Sequence, residues 1–193
     1  MKTTLSARGF TLIETLVAVT LLTLAIGAPM ALTSKSLAAA YRARDQITAF
    51  HLAQEAIETV RHVRDHNILM IAVGEDVDLL DGILTEDDDS QVFTVDTTES
   101  IENAIDLNGC PSGECPPLQI NSDDELYGYG TGWRDTRFTR TVSAETIREE
   151  DGVPQEVKIT AAVSWQTGSF EVQTVEISEN LYRWVSDNTQ EDD

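Results

Sequence analysis

Positive charge is scarce in this 193-residue chain: 13 Lys and Arg stand against 34 Asp and Glu, for a formal net charge of −21, and the lysines are Lys2, Lys35 and Lys158 alone. So acidic a composition excludes binding of nucleic acid or anionic lipid through a broad basic face, and it favours solubility through self-repulsion. Cysteine is confined to Cys110 and Cys115, with no second ligand pair to complete a zinc site. Catalytic signatures are missing too. No nucleophile elbow or metal triad is present, and Gly128-Tyr129-Gly130-Thr131-Gly132 follows a polar loop where a nucleotide fingerprint needs a strand. His62 and His66 lie four apart, yet the residues between them lack the Glu of a zinc-protease helix. Two imidazoles near a helix C-terminus suit the helix dipole without a metal. No enzyme and no cofactor is expected.

What the chain does have is a long apolar run. After a short leader carrying Lys2 and Arg8, an apolar segment begins abruptly at Phe10 and continues to Leu32, with Glu14 its only ionisable side chain. As a helix rising ~1.5 Å per residue it spans about 34 Å, enough for a bilayer core. A carboxylate within such a segment costs roughly 2.5–3.5 kcal/mol at mid-bilayer and signals a specific partner. Three plainer readings compete. A secretory signal cleaved after Ala38-Ala39-Ala40 would have too long a core and would contain Glu14. An ordinary single-pass anchor would leave Glu14 merely near the interface. A buried core helix is disfavoured by the length of the run.

The stretch Arg8-Gly9-Phe10-Thr11-Leu12-Ile13-Glu14, with the apolar run behind it, resembles the processing site of the type IV pilin and pseudopilin family. The resemblance implies cleavage by a membrane prepilin peptidase between Gly9 and Phe10, followed by N-methylation of Phe10. It also implies that Glu14 is an assembly residue. The new α-amino group at Phe10 is a cation at the depth of a neighbouring subunit's carboxylate, and pairing the two offsets the cost of burying either. Gly27 and Pro29 interrupt the apolar helix, and Pro29 crowds the carbonyl of Ala25, so a kink or local unwinding is expected there. In the family such a pair is where the backbone extends during assembly; a static kink is the alternative.

Beyond Ser34 the helix is expected to continue as an amphipathic segment to Asn67, with Ile47, Phe50, Ala53, Ile57, Val60 and Val63 as its apolar stripe. The segment Leu52 to Asp65 resembles minor pilins of the modification type and I-type minor pseudopilins. From Ile68 to Trp133 the chain is turn-rich, with acidic clusters at Glu86-Asp87-Asp88-Asp89 and Asp123-Asp124-Glu125 and one short strand, Gln91 to Val95. Asp76, Asp78, Asp81 and Gly82 approach a calcium loop, which some pseudopilins hold in this region. Their spacing slips by one from the EF-hand order, and a solvated loop is preferred. Cys110 and Cys115 are read as a disulfide, closing a small loop outside the cytoplasm, with metal binding as the alternative.

The last third reads as antiparallel sheet. Val157, Ile159, Ala161, Val163 and Trp165 alternate with polar residues. An earlier strand, Phe138 to Ile147, joins through Asp151-Gly152, and a later one runs from Phe170 through Val172, Val175 and Ile177 with a bulge after Val172. The expected fold is α+β and pilin-like, a long N-terminal helix under an antiparallel sheet of three or four strands. Its parts are a leader (1–9), a transmembrane and assembly half-helix (10–33), an amphipathic half-helix (34–67), a variable loop region (68–133), a sheet (134–185) and a disordered acidic tail (186–193). The resemblance implies a minor structural subunit of a pilus-like filament, acting in priming or at a tip. Its partners would be the prepilin peptidase, other pilin or pseudopilin subunits, the inner-membrane assembly platform and membrane lipid. The precursor would be anchored in the cytoplasmic membrane with its C-terminal domain outside. The alternative is an anchored, non-polymerising binding or adhesion domain that uses the variable loops.

Overall fold

A computed structural model describes residues 9–85, 90–168 and 171–184. The leader before Gly9, the cluster Glu86 to Asp89, Phe170 and the tail after Ser186 lie outside the described residues. The architecture is α+β: helix α1 (Leu12–Ala72) precedes an antiparallel sheet of β1 (Ser90–Val95), β2 (Ile105–Asp106), β3 (Pro117–Ile120), β4 (Tyr127–Gly128), β5 (Arg134–Glu150), β6 (Val153–Trp165) and β7 (Gln173–Tyr182). The chain divides into two compact units, Met1–Arg44 and Asp45–Asp193.

In the first unit, none of the described residues from 9 to 44 is buried. Several of its hydroxyls bond to the helix's own backbone. Thr15, Thr20, Thr23, Thr33 and Ser34 donate to carbonyls three or four residues back, at 2.8–3.0 Å. Such back-bonding hides polar atoms without requiring water. The helix is unbroken in its assignment through Gly27 and Pro29.

The second unit holds the core. The buried face of α1 is Ala49, Leu52, Ala53, Ala56, Ile57, Val60, Val63 and Ile71, a 3.6-residue period. Ile47 and Phe50, expected in the apolar stripe, are 58% and 43% exposed. The contact face is turned toward the alanines; a reading by apolar bulk favours the larger side chains instead. The helix also runs past Asn67 to Ala72. Asn67 is buried, and its amide donates to the carbonyls of Leu79 and Asp81 at 3.2 and 3.0 Å. The helix ends in a Schellman arrangement at Gly74 (φ +92°), with Glu75 N–H on Met70 O and Gly74 N–H on Ile71 O.

The sheet buries Phe93, Val95, Leu118, Phe138, Val142, Ala144, Val157, Ile159, Ala161, Val163, Trp165 and Leu181. The alternation read in β6 is the observed one. β5 and β6 meet at Asp151 and Gly152, both at positive φ (55° and 80°), which matches the twist of a two-residue hairpin. The expected bulge after Val172 is absent: β7 starts at Gln173, its register with β6 is unbroken to Tyr182, and Val172 is 63% exposed outside the strand. Among the described residues the sheet has seven strands where three or four were expected. The short strand read at Gln91 to Val95 is β1; the additional pieces, β2 to β4, are two to four residues long, too short for an alternating pattern to show in sequence.

Candidate functional site

At the N-terminal segment, Thr11 precedes the first helical residue and its hydroxyl accepts from Glu14 N–H at 3.3 Å. Thr11-Leu12-Ile13-Glu14 therefore has the spacing of a capping box, with Glu14 in the first turn, where its charge favours the positive end of the helix dipole. Composition and run length did not reveal this second role; the Thr-x-x-Glu spacing could have. Phe10, Leu12 and Ile13 are 80%, 85% and 69% exposed.

Glycine at positions 9 and 27 answers no demand of the fold. A Cβ at Gly9 or at Gly27 would meet nothing within 4 Å, and neither has a positive φ. Inside a helix such a glycine costs about 1 kcal/mol relative to alanine. Gly128 shows the opposite case. A Cβ there would strike the Asp96 carboxylate, which accepts the Tyr129 N–H at 2.8 Å.

Three carboxylates tie α1 to the sheet in the second unit. Asp45, 2% exposed, accepts from Arg137 Nη1 and Thr167 Oγ1, both at 2.9 Å. Glu55 accepts from Thr97 Oγ1 at 2.5 Å and from Arg140 Nη1 at 3.3 Å. The Arg140 side chain is fully buried, and it also donates to Leu52 O at 3.1 Å and to Val95 O. Glu179 of β7 accepts from Arg61 Nε at 2.8 Å, and this bond, with the attraction of Glu179 and Glu58, holds the Arg61 guanidinium above its ordinary pKa despite partial desolvation. Arg183 donates to Asp78 at 2.9 Å, so one acid of the candidate calcium loop holds the chain after β7.

Cys110 and Cys115 form a disulfide. Among the described residues no group of three or more His, Cys, Asp or Glu could hold a metal ion, and His62 and His66 gain no third ligand. Burial raises the Tyr129 phenol above its usual pKa; Arg140 opposes that rise and Asp96 adds to it. Two clefts open in this unit. One, of about 640 Å³, has Asp78, Asp81 and Glu149 among its walls; the other, of about 270 Å³, lies between Asp96, Asp106 and Tyr129.

α1 is long and apolar enough to cross a membrane, by length and composition. An unburied apolar helix with one acid in its first turn, ahead of an antiparallel sheet, defines the class: an α+β protein of pilin-like architecture. The family model of the prokaryotic N-terminal methylation motif matches residues 5–28. Motif and architecture together support a protein of the type IV pilin and pseudopilin family, without separating its subtypes. The motif implies a precursor processed by prepilin peptidase and assembly with other pilin subunits, and it points to a structural role over an enzymatic one. Neither the curated proteins nor the solved structures contain a match to the chain.

Proposed function

We propose that the chain is a minor structural subunit of a type IV pilus-like filament, cut between Gly9 and Phe10, N-methylated at Phe10 and assembled through the N-terminal part of α1. The observation that carries this reading is the run from Phe10 to Leu32. Its described side chains are exposed, its hydroxyls bond to their own helix, and it holds one carboxylate, on the fifth residue after the cut. In lipid the run is at rest; in a filament, neighbouring helices replace the lipid.

Glu14 then pairs with the α-amino group of a neighbouring subunit's first residue and sets the register between helices. Gly27 and Pro29 supply a place where the helix can extend during assembly, which fits a glycine the isolated fold does not need. The precursor waits in the cytoplasmic membrane with the sheet outside, and the assembly platform passes it into a periplasmic or surface filament. A strongly acidic subunit suits a priming or tip position, where it is not repeated against copies of itself.

Glu14→Ala is the direct test. Processing and membrane insertion should persist while incorporation into filaments is lost. Incorporation at the wild-type level would remove the register role and favour an anchored domain that does not polymerise.

A further inference from the structure

β5 carries three partners on two edges. β6 occupies one edge from Phe138↔Trp165 to Glu150↔Val153, continuous as far as Thr146↔Val157 and irregular beyond it, around Arg148. β1 and β3 must therefore share the other edge, end to end. β1 pairs Ser90↔Glu145 through Phe93↔Val142, so its last residue, Val95, comes opposite Arg140. β3 begins with Pro117↔Thr139, the very next position along β5. In register terms, Pro117 takes the place that residue 96 would hold in a continuous strand.

We infer that residues 96–116 are an inserted module, looped out of what is otherwise a single edge strand, and that the helix-and-sheet scaffold folds without them. The module has its own closures. Asp96 N–H bonds to Ala104 O at 2.7 Å, and β2 folds back on β1 through Thr94↔Asp106 and Val95↔Ile105. Gly109 N–H bonds to Asp106 O at 3.0 Å, and the Cys110–Cys115 disulfide closes the last turn before Pro117 re-enters the sheet. Gly109 packs so tightly on Thr94 that a Cβ there would collide with it. The seam itself is plugged from the scaffold side by the buried Arg140, whose guanidinium holds Val95 O, Leu52 O and Glu55. The module reaches the rest of the chain through side-chain bonds at Thr97 to Glu55, at Asp96 from Tyr129 N–H and at Leu107 O from Gln91, none of them on β5, β6 or β7. The module thus supplies surface that can change without disturbing the helix or the three long strands. The inference stands on strand register and does not depend on the filament reading.

Two measurements on the full-length, detergent-solubilised chain test it. In the first, Val95 is joined to Pro117 directly, and in a second variant through Gly-Gly. A single cooperative unfolding transition with a lower midpoint is expected, because Ile101, Ile105 and Leu107 no longer cover the core edge. Loss of a cooperative transition in both variants would overturn the inference, since the excursion would then belong to the scaffold. In the second, hydrogen exchange of the unaltered protein should show the Asp96 and Gly109 amides opening at least about tenfold more often than the Ala161 amide of β6. Exchange of all three at one common rate of opening would also overturn it.

Discussion

The two parts of α1 are helical for different reasons. From Leu12 to Leu32 no described side chain is buried and nearly every residue is apolar, so within the subunit only the backbone ladder and the Thr11 cap hold the helix. From Asp45 to Ala72 one face is buried, and Asp45, Glu55 and Arg61 tie it to β5, β7 and the chain beyond β6. The first part is complete only with lipid or other helices around it; the second is complete in the subunit. Glycine usage marks the same difference. Gly109 and Gly128 are required by neighbours inside the fold, whereas Gly9 and Gly27 have none.

Substitutions should separate the two parts. The largest effect is that of Glu14→Ala, near-complete loss of filament incorporation with unchanged stability of the sheet unit, read by filament shearing and by thermal unfolding. Next comes Arg140→Ala. Removing a buried cation that serves two carbonyls and a carboxylate should cost roughly 3–5 kcal/mol, measured by urea unfolding, with processing at the N-terminus unaffected. Gly27→Ala should raise helix stability in the unassembled chain by about 1 kcal/mol, by circular dichroism in detergent, and should impair assembly if extension at this point is needed.

The smallest effect belongs to Tyr129. Its pKa is raised in the folded state, so its contribution to stability is fully present below the unfolded value, near ~10, and is lost as pH rises through the folded value. Tyr129→Phe should abolish that alkaline loss while leaving stability at neutral pH nearly unchanged, because the buried hydroxyl has no hydrogen-bond partner among the described residues. Unfolding midpoints at pH 8 and pH 11 would show it.

Long periodic elements were legible from the sequence. The alternation of β6, the Asp151-Gly152 hairpin and the apolar run from Phe10 each repeat a pattern over enough residues to stand out. The processing segment was legible because Gly9, Phe10 and Glu14 sit at fixed spacing before that run. Features made by tertiary packing were not. The buried face of α1 is centred on alanines that a reading by apolar bulk underweights, and this displaced Ile47 and Phe50 into the expected core. The apolar stripe fades at Asn67, yet the helix runs on to Ala72 and the Asn67 amide caps two loop carbonyls from within it. The buried role of Arg140 depends on strands meeting end to end on β5, which no local pattern encodes. The place of Glu14 in the Thr11-capped first turn is encoded locally, in the Thr-x-x-Glu spacing.

The account rests on the cut between Gly9 and Phe10, and the mass of the N-terminal peptide from protein purified out of its native membrane tests that most directly. A chain beginning at N-methylated Phe10 is the predicted result. A chain beginning near Tyr41, which would have lost Glu14 altogether, or one that keeps its leader would contradict it, and Glu14 would then have no role in assembly.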